Sequence, residues 1–137
     1  MSLPPQGFVL HDRKSPLTAP WEPIYAHKDA ARLSLGLWVD EPHTNSRGLA
    51  HGGLITALAD NAMGLTCGLH IAAADGLVTA SLNVDFLGSA RIGQWLEIRP
   101  EHLKAGRTLS FAQCLITADD KPCARANASF AILRREA

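Results

Sequence analysis

The chain has 137 residues, the length of one compact domain, and its 47% hydrophobic composition is enough to supply a core. Its 13 basic and 13 acidic residues give a formal net charge of zero, so no overall field attracts a nucleic acid or an anionic membrane, and we expect neither as a partner. Its three cysteines are an odd number without CxxC spacing, which argues against a disulfide framework and a zinc knuckle and favours a reducing, cytoplasmic setting.

Residues 1–32 are predicted to form an extended arm laid over the domain. Five of the eight prolines fall within the first 23 residues, and proline interrupts long helices and central strands. Residues 26–32 could add one or two helical turns. The N-terminus has no basic-then-apolar signal pattern, and no uncharged apolar run reaches the roughly 20 residues of a membrane span. We therefore expect a protein that is neither exported nor embedded in a membrane.

Residues 33–137 are predicted to form one strand, one long helix and then four further strands. Apolar residues alternate with small or polar ones over 33–39, the period of a strand with one buried face. An apolar run over 53–69 predicts the helix. The later strands are predicted at 78–86, 94–104, 107–117 and 123–134. Short links between long strands imply antiparallel neighbours, so the predicted fold class is α+β, an antiparallel sheet folded around a single helix.

One carboxylate, Asp60, interrupts the predicted helix. A narrow sector of leucines is assigned to the sheet, namely Leu54, Leu58, Leu65 and Leu69. The opposite side has no Lys, Arg or Glu, which predicts a helix buried on all sides. Besides Asp60, that side carries Gly53, Thr56, Ala57, Met63, Gly64 and Cys67. A lone carboxylate there is costly unless it is hydrogen-bonded or functional, so a structural acid, bonded to a backbone amide or to Thr56, and a functional acid both remain open.

The helix is predicted to start at the paired glycines of 51-HGG-53. Its first N–H groups have no partners inside the helix and carry the positive end of the helix dipole, so they can hold an anion or a developing oxyanion. Gly53 and Asp60 are separated by about 10 Å along the axis, which is awkward for two groups acting on one carbonyl. A second helix, antiparallel across a two-fold axis, would bring its Asp60 to these glycines. The sequence therefore predicts an active site shared across a dimer.

The motif N-x5-HGG-x4-L-x-D resembles the hotdog-fold acyl-CoA thioesterases. It comprises Asn45, Gly48, 51-HGG-53 and 58-LAD-60, followed by 82-LNVDFL-87 and 104-KAGRTLSF-111. The likeness covers about residues 33–134 and is closest to the phenylacetate-pathway type related to 4-hydroxybenzoyl-CoA thioesterase. It implies a hotdog fold with a five- to six-stranded antiparallel sheet around one central helix, in the order βαββββ. It also implies assembly as homodimers or as dimers of dimers.

The resemblance implies roles for individual residues in the hydrolysis of an acyl-CoA. The amide of Gly52 would donate to the thioester oxyanion, and Asp60 of the partner subunit would act as general base or nucleophile. Asn45 would contact the substrate or leaving group, and His51 would shape the loop and bond near the substrate. Gly53 lies beside them, and Thr79 is the nearest match to a residue that places water in some relatives. Basic residues that could meet the coenzyme A phosphates are Arg91, Lys104 and Arg107.

No metal ion or separate cofactor is expected, because the histidines lack metal-ligand spacing and coenzyme A would be part of the substrate. The absence of a G-x-S-x-G elbow argues against a serine hydrolase. Two alternatives remain open: a non-catalytic acyl- or coenzyme A-binding protein, which could dispense with Asp60, and an enoyl-CoA hydratase or dehydratase of the same fold, which would need a histidine instead. Aryl, short-chain and medium-chain acyl groups all remain open as substrates.

Overall fold

The computed structural model describes residues 2–72 and 74–134, which form one long helix on one antiparallel sheet. The helix, α1, spans Gly52–Leu69. The strands are β1 (Val9–Leu10), β2 (Tyr25–Lys28), β3 (Leu33–Trp38), β4 (Gly76–Phe86), β5 (Trp95–Ala105), β6 (Leu109–Ala118) and β7 (Lys121–Leu133). Two short 3₁₀ helices cover Ala19–Trp21 and Glu41–His43. The predicted fold class is confirmed. Within the described ranges, no helix combines the length and apolarity needed to cross a membrane.

The sheet has seven strands in the order β1-β2-β3-β5-β6-β7-β4, with neighbours antiparallel throughout. The strand that follows the helix, β4, therefore lies at one edge, where it pairs with β7 alone. The arm strands β1 and β2 form the other edge. These two strands raise the count above the predicted five or six.

The buried face of α1 is wider than the leucine stripe predicted from the sequence. Leu54 and Leu58 are buried as expected, whereas Leu65 and Leu69 are only partly buried. Met63 and Cys67, assigned to the opposite side, are fully buried, because β3, β4, β5, β6 and β7 all contact the helix. The prediction of a helix buried on all sides is wrong for the single chain. A partly exposed stripe remains, consisting of Gly53, Thr56, Ala57, Asp60, Asn61, Gly64 and Gly68.

The helical turn predicted within residues 26–32 is also wrong. Tyr25–Lys28 forms β2, which pairs with β3 in the register Ala26↔Leu35 and buries Ala26. After it, the carboxylate of Asp29 accepts hydrogen bonds from the N–H groups of Ala31 and Arg32 and closes a tight turn. Strand pairing and burial therefore outweigh the weak helical propensity of this segment.

Candidate active site

The carboxylate of Asp60 is held by a residue of the edge strand. The hydroxyl of Thr79 on β4 donates a 2.6 Å hydrogen bond to Asp60 Oδ1. Asp60 is half-buried, and no basic side chain of the described residues forms an ion pair with it. The hydroxyl of Thr56, the side-chain partner considered from the sequence, instead donates to the carbonyl oxygen of Gly52 at 2.7 Å. The structure therefore joins Asp60 to Thr79, which the sequence motif matched only loosely.

Asp60 and Thr79 line a cleft of about 580 Å³. Its base is the part of α1 from Asp60 to Leu69, one wall is the start of β4, and the other wall is the N-terminal arm. Apolar side chains of Leu65, Leu69 and Phe130 line the cleft beyond Asp60. The volume suits a small-molecule ligand, and an apolar lining with a few polar groups is typical of such sites.

The backbone N–H groups of the two glycines at the start of α1 differ in their hydrogen bonding. His51 is the N-cap residue, and its Nδ1 accepts a 2.8 Å hydrogen bond from the N–H of Gly53. That bond leaves the proton of a neutral His51 on Nε2. The N–H of Gly52 has no acceptor within hydrogen-bonding distance among residues 2–72 and 74–134. Of the two glycines, Gly52 is therefore the one with an amide free to bind an oxyanion.

The loop before the helix is ordered by Asn45. Its Oδ1 accepts from the N–H groups of Arg47 at 2.9 Å and Leu49 at 3.2 Å, so only the side-chain NH₂ remains to meet a ligand. Gly48 has a φ of +75°, a conformation that glycine adopts without steric cost. Leu49 forms an isolated bridge with Arg91, which places Arg91 next to the loop that leads into α1.

In the single chain, the site residues predicted from the sequence fall into two separate groups. Asp60 and Thr79 lie in the cleft, whereas Asn45, His51, Gly52, Gly53 and Arg91 do not line it. Gly52 precedes Asp60 by eight residues, or about 12 Å along the helix axis. Lys104 and Arg107 are exposed at the end of the β5–β6 hairpin and also lie outside the cleft. The expected coenzyme A contacts are therefore not gathered around Asp60 within one chain.

The cleft contains basic residues that the sequence reasoning missed. His11, Arg13, Lys14 and Lys28 all line it from the N-terminal arm and β2. Burial is the main cause that lowers the pKa of His11, and Lys14 forms an ion pair with Glu22 at 3.4 Å. The run 11-HDRK-14 is visible in the sequence, but its proximity to Asp60 depends on strand pairing that no local pattern reveals. In the described parts of the chain, no three His, Cys, Asp or Glu side chains are placed to hold a metal ion.

Comparisons with known proteins cover most of the chain. The model of the Thioesterase superfamily matches residues 47–124, which include the glycine pair, Asp60 and Thr79. A Pseudomonas aeruginosa protein provisionally named an esterase is 36% identical over 127 residues, 92% of this chain and 95% of that protein. Mouse acyl-coenzyme A thioesterase 13 is 36% identical over 88 residues, 63% of this chain and 61% of that protein. A mutant of the Thermus thermophilus phenylacetic acid degradation protein PaaI superposes with a TM-score of 0.77 at 21% identity, over 87% of this chain and 100% of that chain, and so shows a common fold.

Proposed function

The chain belongs to the thioesterase superfamily and is a thioester hydrolase, and we propose that it hydrolyses an acyl-CoA to the free acid and coenzyme A. The observation that carries this proposal is the carboxylate of Asp60, held by Thr79 and open to a cleft of substrate size. A relative with 36% identity is named an acyl-coenzyme A thioesterase, which supports coenzyme A as the thiol part of the substrate. The preferred acyl group is aryl, short-chain or medium-chain.

The proposed chemistry needs one carboxylate and one oxyanion donor. As a general base, Asp60 removes a proton from water as the water oxygen bonds to the thioester carbon; as a nucleophile, the carboxylate itself attacks that carbon. The carbonyl π electrons move onto oxygen, where the N–H of Gly52 stabilises the negative charge. When the carbonyl re-forms, the C–S bond breaks and the thiolate of coenzyme A leaves and takes up a proton. On the nucleophilic route this step leaves an anhydride between Asp60 and the acyl group, and water then hydrolyses it to the free acid and the original carboxylate. Thr79 occupies Oδ1 of Asp60 and keeps the carboxylate oriented toward the cleft.

We assign the oxyanion donor to the Gly52 of a second copy of the chain. The separation of about 12 Å between Gly52 and Asp60 along one helix is too long for both to reach one carbonyl group. Within the described residues of one chain, the N–H of Gly52 has no acceptor and the cleft that holds Asp60 has no contribution from Gly52. An antiparallel helix from a partner brings the two halves together twice, once on each side of the two-fold axis.

The edge strand β4 and the exposed stripe of α1 are the surface we assign to this homodimer. β4 presents 11 residues with no Lys or Pro and only one charged residue, Asp85. Such a long edge, with no Lys or Pro and a single charge, is suited to pairing with another strand. Val78 and Phe86 are 51% and 54% exposed on this strand. Beside it, the stripe of α1 carries small residues that allow another helix to approach closely. A second interface would then make a dimer of dimers.

The remaining expected contacts belong to the helix-start half of the site. Asn45 orders the loop that leads into α1, His51 caps the helix, and Arg91 forms a bridge with Leu49 of the same loop. We therefore assign the free NH₂ of Asn45, Nε2 of His51 and the side chain of Arg91 to the thioester and the coenzyme A leaving group. We assign Lys104 and Arg107, exposed on their hairpin, to the coenzyme A phosphates. No cofactor is needed, because both reacting groups come from the protein and water. The buried free thiols of Cys67, Cys114 and Cys123 accord with a reducing, cytoplasmic setting.

A panel of aryl-, short-chain and medium-chain acyl-CoA thioesters tests this function. Wild type should release coenzyme A from at least one thioester, and Asp60→Asn should lose on the order of 10²- to 10⁴-fold in kcat, the usual contribution of a general base. Asn has nearly the same shape and retains an oxygen that can accept from Thr79. Equal turnover by the two proteins would remove Asp60 from the mechanism. Binding without turnover of any thioester would favour the non-catalytic binding protein, and hydration of an enoyl-CoA would favour the hydratase.

A further inference from the structure

The wall of the cleft opposite β4 is a fixed part of the molecule. The N–H of His11 donates to the carbonyl of Ile24 at 2.9 Å and continues the pairing of β1 with β2. Upstream, the ring of Phe8 packs edge-on against Trp95 with centroids 5.1 Å apart. Downstream, Thr18 is 5% exposed, and its hydroxyl lies 3.1 Å from the Ser15 hydroxyl. The arm therefore holds residues 11–18 against the cleft from both ends.

Two cations on this wall have no carboxylate partner. Lys14 is paired with Glu22, whereas neither Arg13 nor Lys28 has an ion pair among the described residues. Among the residues that the structure describes, the single carboxylate lining the cleft is Asp60, which interacts with Thr79. A cleft lined by more positive than negative charge concentrates anions, and Arg and Lys bind carboxylates and phosphates through charge-assisted hydrogen bonds.

Sheet pairing places the backbone of Lys28 near a residue of α1 that lies beyond Asp60. Lys28 is paired in the sheet with Leu33, whose N–H donates to the hydroxyl of Thr66 at 3.0 Å. Thr66 follows Asp60 by six residues, or about 9 Å along the helix axis. With C–C bonds of about 1.5 Å in a zigzag, that span corresponds to about seven bonds of an extended carbon chain. Leu65 and Leu69 line the intervening space, which suits an apolar linker.

We propose that Arg13 and Lys28 bind an anionic group of the substrate within the cleft that also holds Asp60. This inference rests on the proposed thioesterase function and adds a specificity site to it. The anionic group is either a carboxylate at the far end of the acyl chain or a phosphate of coenzyme A. The helical span matches the far carboxylate of an eight-carbon dicarboxylic acyl group, whereas the pantetheine arm must fold to bring a phosphate to the same place.

Binding measurements on a matched pair of variants test the proposal. Arg13→Gln/Lys28→Gln removes two cations from the cleft, and Arg99→Gln/Lys121→Gln removes two exposed cations that lie outside it. Kd is measured by titration calorimetry with non-hydrolysable thioether analogues of octanoyl-CoA, suberoyl-CoA and octanoyl-pantetheine. KM and kcat are measured with the three parent thioesters, and the melting temperature of each variant verifies its folding.

We expect the cleft variant to raise Kd on the order of tenfold, the effect of losing one charge-assisted hydrogen bond, with kcat unchanged. An increase in Kd for the suberoyl ligand alone assigns the site to an acyl carboxylate. An increase for both coenzyme A ligands but not for the pantetheine ligand assigns it to a phosphate. The proposal would be overturned if the cleft and control variants had equal Kd values. It would also be overturned if the cleft variant weakened the binding of octanoyl-pantetheine as much as that of the two coenzyme A ligands. Wild type that binds these ligands but cleaves no thioester would contradict the proposed function and leave the anion site supported by the Kd values.

Discussion

Thr79 and Asp60 are joined by a 2.6 Å hydrogen bond between an edge strand and the central helix, across 19 residues of sequence. The bond fixes one carboxylate oxygen and leaves Oδ2 for the reaction proposed above. Thr79 lies where the β4–β7 register shifts between Thr79 and Ser81, and such irregularities commonly re-aim a side chain next to an active site. An acid that is hard to explain on a helix of small and apolar residues thus acquires a defined partner and orientation.

Thr79→Val should lower kcat about tenfold to a hundredfold with a smaller change in KM, because it removes the donor that orients Asp60 while keeping the side-chain shape. Thr79→Ser keeps the hydroxyl and should retain most of the activity. Thr79 is exposed, so the two variants should melt within a few degrees of wild type. Steady-state hydrolysis of the best acyl-CoA compares them. Full activity in Thr79→Val would show that the bond has no part in turnover.

Gly52→Pro should lower kcat on the order of 10²- to 10³-fold, because it removes the one N–H assigned to the oxyanion. Proline is tolerated at the first helical position, which Gly52 occupies. Gly52→Ala is the steric control: it keeps the N–H, and its Cβ meets only the tip of the Phe86 ring, at 3.1 Å. Alanine should therefore be much more active than proline. The same loss of kcat in both variants would assign the effect to crowding by Phe86 rather than to the amide.

His102 should make the protein less stable in mild acid. Burial, and then the charge of His70 stacked at 4.4 Å, lower the pKa of His102 below its ordinary value. The unfolded chain therefore binds the proton more readily, so the stabilisation is complete above about pH 6.5 and is lost as the pH falls below it. The urea midpoint of wild type should fall between pH 7.5 and pH 5.5, and that of His102→Gln should fall less. Identical decreases in the two proteins would exclude His102 as a source. His11, with its pKa lowered mainly by burial, adds a change of the same sign.

Gly36→Ala should destabilise the fold by about 1–3 kcal/mol, the usual cost of overpacking. A Cβ at Gly36 would overlap with Cζ2 of Trp95, whose ring also packs against Phe8, Tyr25 and Trp38. Gly88→Ala is the matched control, because Gly88 is exposed and a Cβ there would lie 3.7 Å from the nearest atom, which is an ordinary van der Waals contact. Urea unfolding should show a loss for the first variant and none for the second. An unchanged midpoint in Gly36→Ala would mean that the aromatic cluster moves aside freely.

Much of the fold was predictable from the sequence because hydrophobic period is a local property. The helix starts and ends within one residue of the predicted 53–69, and the four later strands lie within three residues of their predicted bounds. The arm strands β1 and β2 were missed, since β1 has two residues and β2 is specified mainly by its pairing with β3. The buried sector of α1 was misjudged because the curvature of a sheet around a helix is not encoded in helix periodicity.

The site residues also differ in whether a local sequence pattern could reveal them. Asp60 and the glycine pair were found because a charge in an apolar helix and two consecutive glycines at a helix start are unusual locally. Three other features depend on where side chains lie in three dimensions. They are the hydrogen bond from the Gly53 N–H to His51, the bond from Thr79 to Asp60, and the wall of the cleft that carries Arg13 and Lys28. Arg91, Lys104 and Arg107 were chosen for charge alone, and the cleft of Asp60 is lined by other cations.

Subunit mixing tests the shared active site most directly. Asp60→Asn and Gly52→Pro are each expected to be inactive as homodimers, and sedimentation first establishes the dimer and the exchange of subunits. If each site takes Asp60 from one chain and Gly52 from the other, every heterodimer has one intact site. Random pairing makes half of the dimers heterodimers, so an equimolar mixture should recover about a quarter of wild-type activity. A mixture that exchanges subunits yet remains as inactive as its components would contradict a site built from two chains.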